Sequence, residues 1–221
     1  SLRYLEFRKG AFDFQTSQQN PKICKPMNLP KQESSTTDVI YDEKKEKRYL
    51  LERRWGKEGK VLCGFMMNPS NASHLNSDQT VDQLVNYAEK NDYVALIIVN
   101  AVSFIEPQSR KLKNSTIHSA DPTNWSFIDE AFNKSDRIIF ATGVKGQQAL
   151  YKFIDSGDNQ VIRILRTYRE KFYCYDLKLS PKQKNFYYTP HLRPQYNKKA
   201  YIDEVPKPIS TFPNYKNIFR E

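Results

Sequence analysis

The sequence predicts an α/β protein, a three-layer α/β/α sandwich around a central, mainly parallel four-stranded sheet. Two observations carry this expectation. Fully apolar runs of strand length, Val61–Met67 and Val94–Val99, stand about one helix apart, the interval that a right-handed crossover between parallel strands needs. The segment between them places its apolar residues at helical spacing, and the same alternation of strand and helix patterns repeats downstream.

From Ser1 to Glu46 the chain is polar and turn-rich, with Gln15–Asn20 and Gln32–Thr37 nearly devoid of apolar residues. Such a stretch supplies too little apolar surface for a core of its own. Residues 1–46 are therefore expected to form an N-terminal arm, partly docked through Tyr4, Phe7, Phe12 and Phe14, and residues 47–221 a single domain. Arg48–Trp55 reads as a short strand, and Gly56 and Gly59 lead into the first apolar run, which ends at Asn68-Pro69. Val81, Leu84, Val85 and Ala88 then recur at helical spacing behind the cap residues Ser77 and Asp78, giving an amphipathic helix as far as Lys90.

After Asp121-Pro122, the spacing of Trp125, Ile128, Ala131 and Phe132 predicts a second helix, with proline at home in its first turn. Arg137–Ala141 reads as a third strand. Gln147–Ile154 reads as a helix closed by Gly157, and Phe186–Tyr188 as the last core strand. Val161–Leu165 and Phe172–Leu177 stay open between further strands and an excursion.

The 221 residues suffice for one sizeable core with an appendage. Lys and Arg number 35 against 25 Asp and Glu, a formal charge of +10, with a pI near 9.4. That balance favours a polyanionic partner such as nucleic acid. No stretch reaches the ~20 apolar residues of a membrane span, and Ser1–Gly10 lacks the apolar centre of a signal peptide. The expectation is a cytoplasmic protein with no membrane partner. Cys24, Cys63 and Cys174 stand far apart, so neither a disulfide framework nor a cysteine zinc site is expected. His74 and His118 have no acidic or cysteine partners at ligand spacing, so no metal or other cofactor is expected.

In an open parallel sheet, ligands bind beyond the carboxyl ends of the strands. The segments that follow the apolar runs read Asn68-Pro69-Ser70-Asn71, Asn100-Ala101-Val102, Thr142-Gly143 and Thr189-Pro190-His191-Leu192-Arg193-Pro194. Two Asn, a His, a Ser and an Arg on one rim are polar without being acidic. This composition suits reading a base and its phosphates better than hydrolysis by paired carboxylates.

Three of these segments, in the same order and after equivalent strands, resemble the motifs of the uracil-DNA glycosylase superfamily. Met66-Met67-Asn68-Pro69-Ser70-Asn71 resembles the Gly-Gln-Asp-Pro-Tyr-His loop that supplies the water-activating Asp, and lies closer still to the Gly-Ile-Asn-Pro-Gly of the mismatch-specific branch. Ile98-Val99-Asn100-Ala101-Val102 resembles the Leu-Leu-Asn-Ala-Val strand end whose Asn pairs with the uracil edge. Asn124–Asp129 echoes the Gly-Trp-Glu helix start, and His191-Leu192-Arg193-Pro194 resembles the His-Pro-Ser-Pro loop. The chain is also similar to a family of uncharacterised bacterial domains with an Asn-Pro-Ser-Thr-Ala-like motif, here Asn68-Pro69-Ser70-Asn71-Ala72, after an Arg/Trp-rich strand, here Glu52-Arg53-Arg54-Trp55. The resemblance spans Arg48 to Tyr196.

What the resemblance implies is a flipped-base pocket on a DNA-binding surface. Asn100 would read the base edge, with Met67, Asn68 and Ser70 beside it. His191 would donate to the base as negative charge develops on it. Asn68 departs from the family's Asp: an amide holds a water but takes no proton from it, so hydrolysis of uracil would be weak or lost. Ser70 replaces the bulky Tyr that screens out a 5-methyl group. Ser70, Asn71, Arg193 and Lys198, with Lys199 beside it, would hold phosphates. Gln195 and Tyr196 stand where the family carries a Leu wedge.

Two further function classes remain open from sequence. One is a non-catalytic module binding single- or double-stranded DNA, or an acidic DNA-mimicking inhibitor protein. The other is a binder of free nucleobases that uses the Asn68-Pro69-Ser70 loop at a helix N-terminus. The run Arg163, Arg166, Arg169 and Lys171 with Tyr168, Phe172 and Tyr173 interleaves charge and aromatics, either as a single-strand binder does or as an exposed basic helix face.

Overall fold

A computed structural model describes residues 35–70, 79–106, 119–192, 201 and 204–221, all within one compact unit, Gln32–Glu221. Its framework is a seven-stranded sheet in the order β1-β2-β4-β3-β5-β6-β9. The strands are β1 (Thr36–Tyr41), β2 (Arg48–Arg54), β3 (Lys60–Met66), β4 (Tyr93–Asn100), β5 (Arg137–Phe140), β6 (Phe172–Cys174) and β9 (Lys207–Pro208). The four central strands, β4-β3-β5-β6, are parallel. β2 runs antiparallel to β4, β1 to β2, and β9 to β6. β3 and β4 are buried along nearly their whole lengths, as parallel strands covered on both faces must be.

Side-chain alternation divides the core into two layers. Val61, Cys63 and Phe65 of β3 face helices α2 (Pro122–Lys134), α3 (Gly143–Asp155) and α4 (Asn159–Thr167), whereas Leu62 and Met66 face α1 (Gln79–Lys90). Phe65 is the centre of the larger layer. Trp125, Phe132 and Phe140 meet its ring edge-on at centroid distances of 6.1, 5.3 and 5.1 Å, the geometry that aromatic quadrupoles favour. Asp121 caps α2 by accepting from the backbone N–H groups of Thr123 and Asn124. None of the helices among the described residues is long and apolar enough to cross a membrane.

Several elements differ from the sequence expectation. The sheet begins at Thr36, inside the stretch expected as an arm, because β1 pairs along the whole edge of β2. Residues 1–34 lie outside the described residues. The fourth parallel strand is β6 and not Phe186–Tyr188. Phe172 pairs with Ile138 of β5, while β8 (Tyr187–Tyr188) forms a separate two-stranded ribbon with β7 (Lys178–Leu179). Val161–Leu165 is helical, capped by the Asp158 carboxylate on the N–H of Val161. α3 begins four residues before Gln147, at Gly143.

Candidate functional site

Strand order locates the crevice before any side chain is considered. The chain leaves β3 through α1 to β4 on one side, then crosses to the other side of β3 to form β5. Connections therefore depart in opposite directions at β3 and β5, and the carboxyl ends of such a pair bracket the ligand crevice of an open α/β sheet.

The segments after these strands are packed against one another. A Cβ on Gly146 would stand 2.7 Å from Thr142 Cβ and 3.3 Å from Met67 Cα, so glycine is what lets the first turn of α3 close onto the end of β3. Gly143 enters that turn at φ +66°, a conformation glycine adopts without cost. Its N–H donates to Thr189 O at 2.9 Å, and His191 Cβ lies 3.7 Å from where a Cβ on Gly143 would be. The Thr189–Leu192 segment thus sits on the same rim as Met67. The first turn of α3 has no side-chain cap and no acidic residue, so neither its cap position nor its own first turn answers the partial positive charge of the helix start.

Asn68 is half-buried, and its donors serve the loops themselves. Nδ2 donates to Glu106 O at 2.6 Å and to Pro69 O at 3.1 Å. Backbone bonds complete the seam between the chain leaving β3 and the chain leaving β4: Ala101 N to Met66 O, Val102 N to Met67 O and Glu106 N to Pro69 O. The amide that the resemblance casts as a water holder is a staple between two loops.

Asn100 pairs in register with Met66, two residues before Asn68, and is 1% exposed. Its Oδ1 accepts from Arg48 Nη2 at 3.5 Å, its backbone carbonyl accepts from Asn124 Nδ2 at 2.9 Å, and its Nδ2 has no partner among the described residues. The oxygen end of the Asn100 amide thus faces Arg48, and the nitrogen end is the one without a partner among the described residues. Thr142 Oγ1 and Thr189 Oγ1, also buried at the rim, likewise lack partners among the described residues.

Behind Asn100 lies a charged cluster that the sequence reading missed. Lys47 Nζ donates to Asp121 Oδ2 at 2.9 Å, and Ser103 Oγ to the same oxygen at 3.2 Å. Burial pushes the Asp121 carboxyl up, but the Lys47 hydrogen bond, the Asn124 N–H and the Ser103 hydroxyl outweigh it and leave the group below its ordinary value. Arg48 also gave no signal in the sequence, since a buried arginine reads like any other residue of an Arg-rich strand. Thr142 and Thr189 were visible as strand-end residues but not as site residues.

The structure thus sets Met67 and Asn68 beside the chain that follows Asn100 and places His191 on the same rim, with Ser70 half-buried two residues beyond Asn68. Asn71, Arg193, Lys198, Lys199, Gln195, Tyr196, His74 and His118 lie outside the described residues.

The basic run on α4 and the turn that follows it is largely committed to structure. Arg163 pairs with Asp129 and Arg169 with Glu221, while Lys171 Nζ reaches the carbonyls of Phe132, Asn133 and Ser135 at the end of α2. Tyr168 and Phe172 pack on Phe132. An open cleft of about 390 Å³ borders Tyr151, Lys152, Asp155, Phe186 and Arg220, on the part of α3 that leads away from the rim.

Fold and strand order together define an open α/β protein with a mainly parallel central sheet whose connections switch direction between β3 and β5. The family model described as "Protein of unknown function (DUF1643)" matches residues 48–185, and the chain belongs to that family. No curated protein and no solved structure matches it.

Proposed function

We propose that the chain binds DNA and holds one base at the carboxyl ends of β3, β4 and β5, as a uracil-DNA glycosylase-like protein whose hydrolytic step is weak or lost. The observation that carries this reading is the Asn100 amide, buried at a strand end with Nδ2 unpartnered among the described residues. Leaving a buried donor unsatisfied costs about 1–3 kcal/mol, and a base carbonyl placed there recovers it. The uncapped start of α3 and the +10 charge favour an anionic ligand nearby. Asn68 supports the loss of hydrolysis, because its amide has no basic atom and its donors are held by two backbone carbonyls.

A single-turnover assay on uracil-containing single- and double-stranded oligonucleotides, read beside binding across a salt series, tests the reading. The expected result is salt-sensitive binding that weakens with Asn100→Ala, together with little or no alkali-labile product. Product that forms readily and vanishes with His191→Ala would show hydrolysis retained. Binding indifferent to both salt and Asn100→Ala would refute the proposal.

A further inference from the structure

Arg48 is 1% exposed and among the largest fully buried side chains. A guanidinium keeps its charge at every accessible pH, so its burial is sustained only by groups that answer that charge. One of them is Asn100 Oδ1, 3.5 Å from Nη2. The direction of this contact follows from chemistry. Arginine carries five N–H donors and no acceptor, so only the oxygen end of an amide can face it. Oδ1 and Nδ2 branch apart from the same carbon, and turning the oxygen to the arginine turns the nitrogen away. That nitrogen is the atom with no partner among the described residues. Bonds to their main chains hold both residues in place: the Asn124 side-chain Nδ2 donates to Asn100 O and Arg48 N to Ser103 O, each at 2.9 Å.

We infer that Arg48 is a positioning residue that fixes the facing of the Asn100 amide, so that the end of β4 presents an N–H donor and prefers a base edge bearing a carbonyl to one bearing an amino group. The inference rests on the reading that a base is held beside Asn100. An amide free to turn over offers a donor to a carbonyl or an acceptor to an amino group with equal ease. Arg48 removes the second choice. An amino-bearing edge then meets N–H against N–H, and both donors stay buried and unpaired.

The test uses the full chain and short single-stranded oligonucleotides that differ only in a central uracil, cytosine or abasic analogue. The wild type is expected to prefer uracil to cytosine by about tenfold, the equivalent of one buried hydrogen bond. Arg48→Met should bring the two within about twofold while leaving the abasic oligonucleotide unaffected, and Arg48→Lys, which keeps a cationic donor, should restore most of the preference. A merely structural role would weaken all three oligonucleotides together. An unchanged uracil-to-cytosine ratio in Arg48→Met overturns the inference.

If the wild type binds all three alike, the base-pocket reading fails on its own, and the Asn100 side-chain amide decides the role of Arg48 in nitrogen-edited NMR spectra. A resonance that moves in Arg48→Met and returns in Arg48→Lys supports the assignment, and one that stays put overturns it. Should Arg48→Met not fold, Asn100→Asp reads the contact from the other side. A raised melting temperature supports a guanidinium facing this position, and a lowered one overturns it.

Discussion

Asn68 donates its side-chain amide to the backbone carbonyl of Glu106 at 2.6 Å, tying the loop that leaves β3 to the chain that leaves β4. The same nitrogen reaches Pro69 O at 3.1 Å. The neighbouring strand ends therefore keep a fixed separation, and Asn100 and Met67 keep a fixed relation to each other.

A direct consequence concerns the substitution that would make this loop look more like an active glycosylase. Asn68→Asp sets a carboxylate against two carbonyl oxygens, so donors become acceptors and all three oxygens repel. It is expected to lose about 1–3 kcal/mol of stability and to gain no more than slow hydrolysis. Chemical denaturation and the abasic-site assay, run on the same preparation, check both halves. A stable, fast Asn68→Asp enzyme would show that the staple is dispensable and that the missing base alone limits the chemistry.

Asp121 should give the protein part of its acid sensitivity. Its folded carboxyl titrates below the ordinary carboxylate value because Lys47, Asn124 and Ser103 outweigh the effect of burial. A group with a depressed folded pKa contributes stability that is complete above its unfolded value, about pH 4, and is lost as pH falls through the folded value. Asp121→Asn keeps a capping oxygen but removes the charge, and should flatten the acid limb of the stability curve. Asp121→Ala also loses the cap of α2, costing a further 0.5–2 kcal/mol or roughly so at neutral pH. Melting temperatures from pH 7 to pH 3 measure both effects.

Much of the fold was legible where apolar runs are long. β3, β4 and β5 and the helices between them follow from uninterrupted apolar runs and helical spacing, because burial on both faces leaves no other composition possible. β1 was not legible: it is an edge strand that alternates between exposed and half-buried positions, so nothing in Thr36–Tyr41 demands a core. The choice between Phe172–Cys174 and Phe186–Tyr188 was also beyond the sequence, since each is a short segment rich in aromatics and only pairing with β5 separates them. At the site, the strand-end segments were visible because topology fixes where they must lie. The bonds that decide what their side chains offer were not, since Arg48, Glu106 and Asp121 are distant in sequence from Asn100, Asn68 and Lys47.

The basic run on α4 and the turn after it makes a prediction opposite to its appearance in the sequence. Lys171 contacts three carbonyls at the end of α2, where a cation satisfies orphan acceptors and the helix dipole together. Lys171→Met is expected to cost about 0.5–1 kcal/mol. Arg163→Gln breaks its pair with Asp129. Both substitutions should lower or leave unchanged the melting temperature while oligonucleotide affinity stays within about twofold of the wild type, a loss of less than one phosphate contact. A tenfold loss of affinity would place nucleic acid on α4 and away from the rim.

The cysteines report on which part of the sheet opens first. Cys63 in β3 and Cys174 in β6 are fully buried free thiols, and burial pushes both up, Cys174 to about 12. The thiolate is the reactive form, so neither should label with iodoacetamide at pH 8 in the folded chain, and both should label in guanidinium. Peptide mass spectrometry separates them from Cys24. Their order under mild denaturant then carries structural content: β6 is held on its outer side by two residues of β9, through the Tyr173–Pro208 and Cys174–Lys207 pairs, whereas β3 is flanked by β4 and β5. Cys174 is expected to label first, as β9 peels from the edge at lower free energy than the centre of the sheet. Simultaneous labelling would instead show that the β6–β9 edge and the parallel core unfold as one unit.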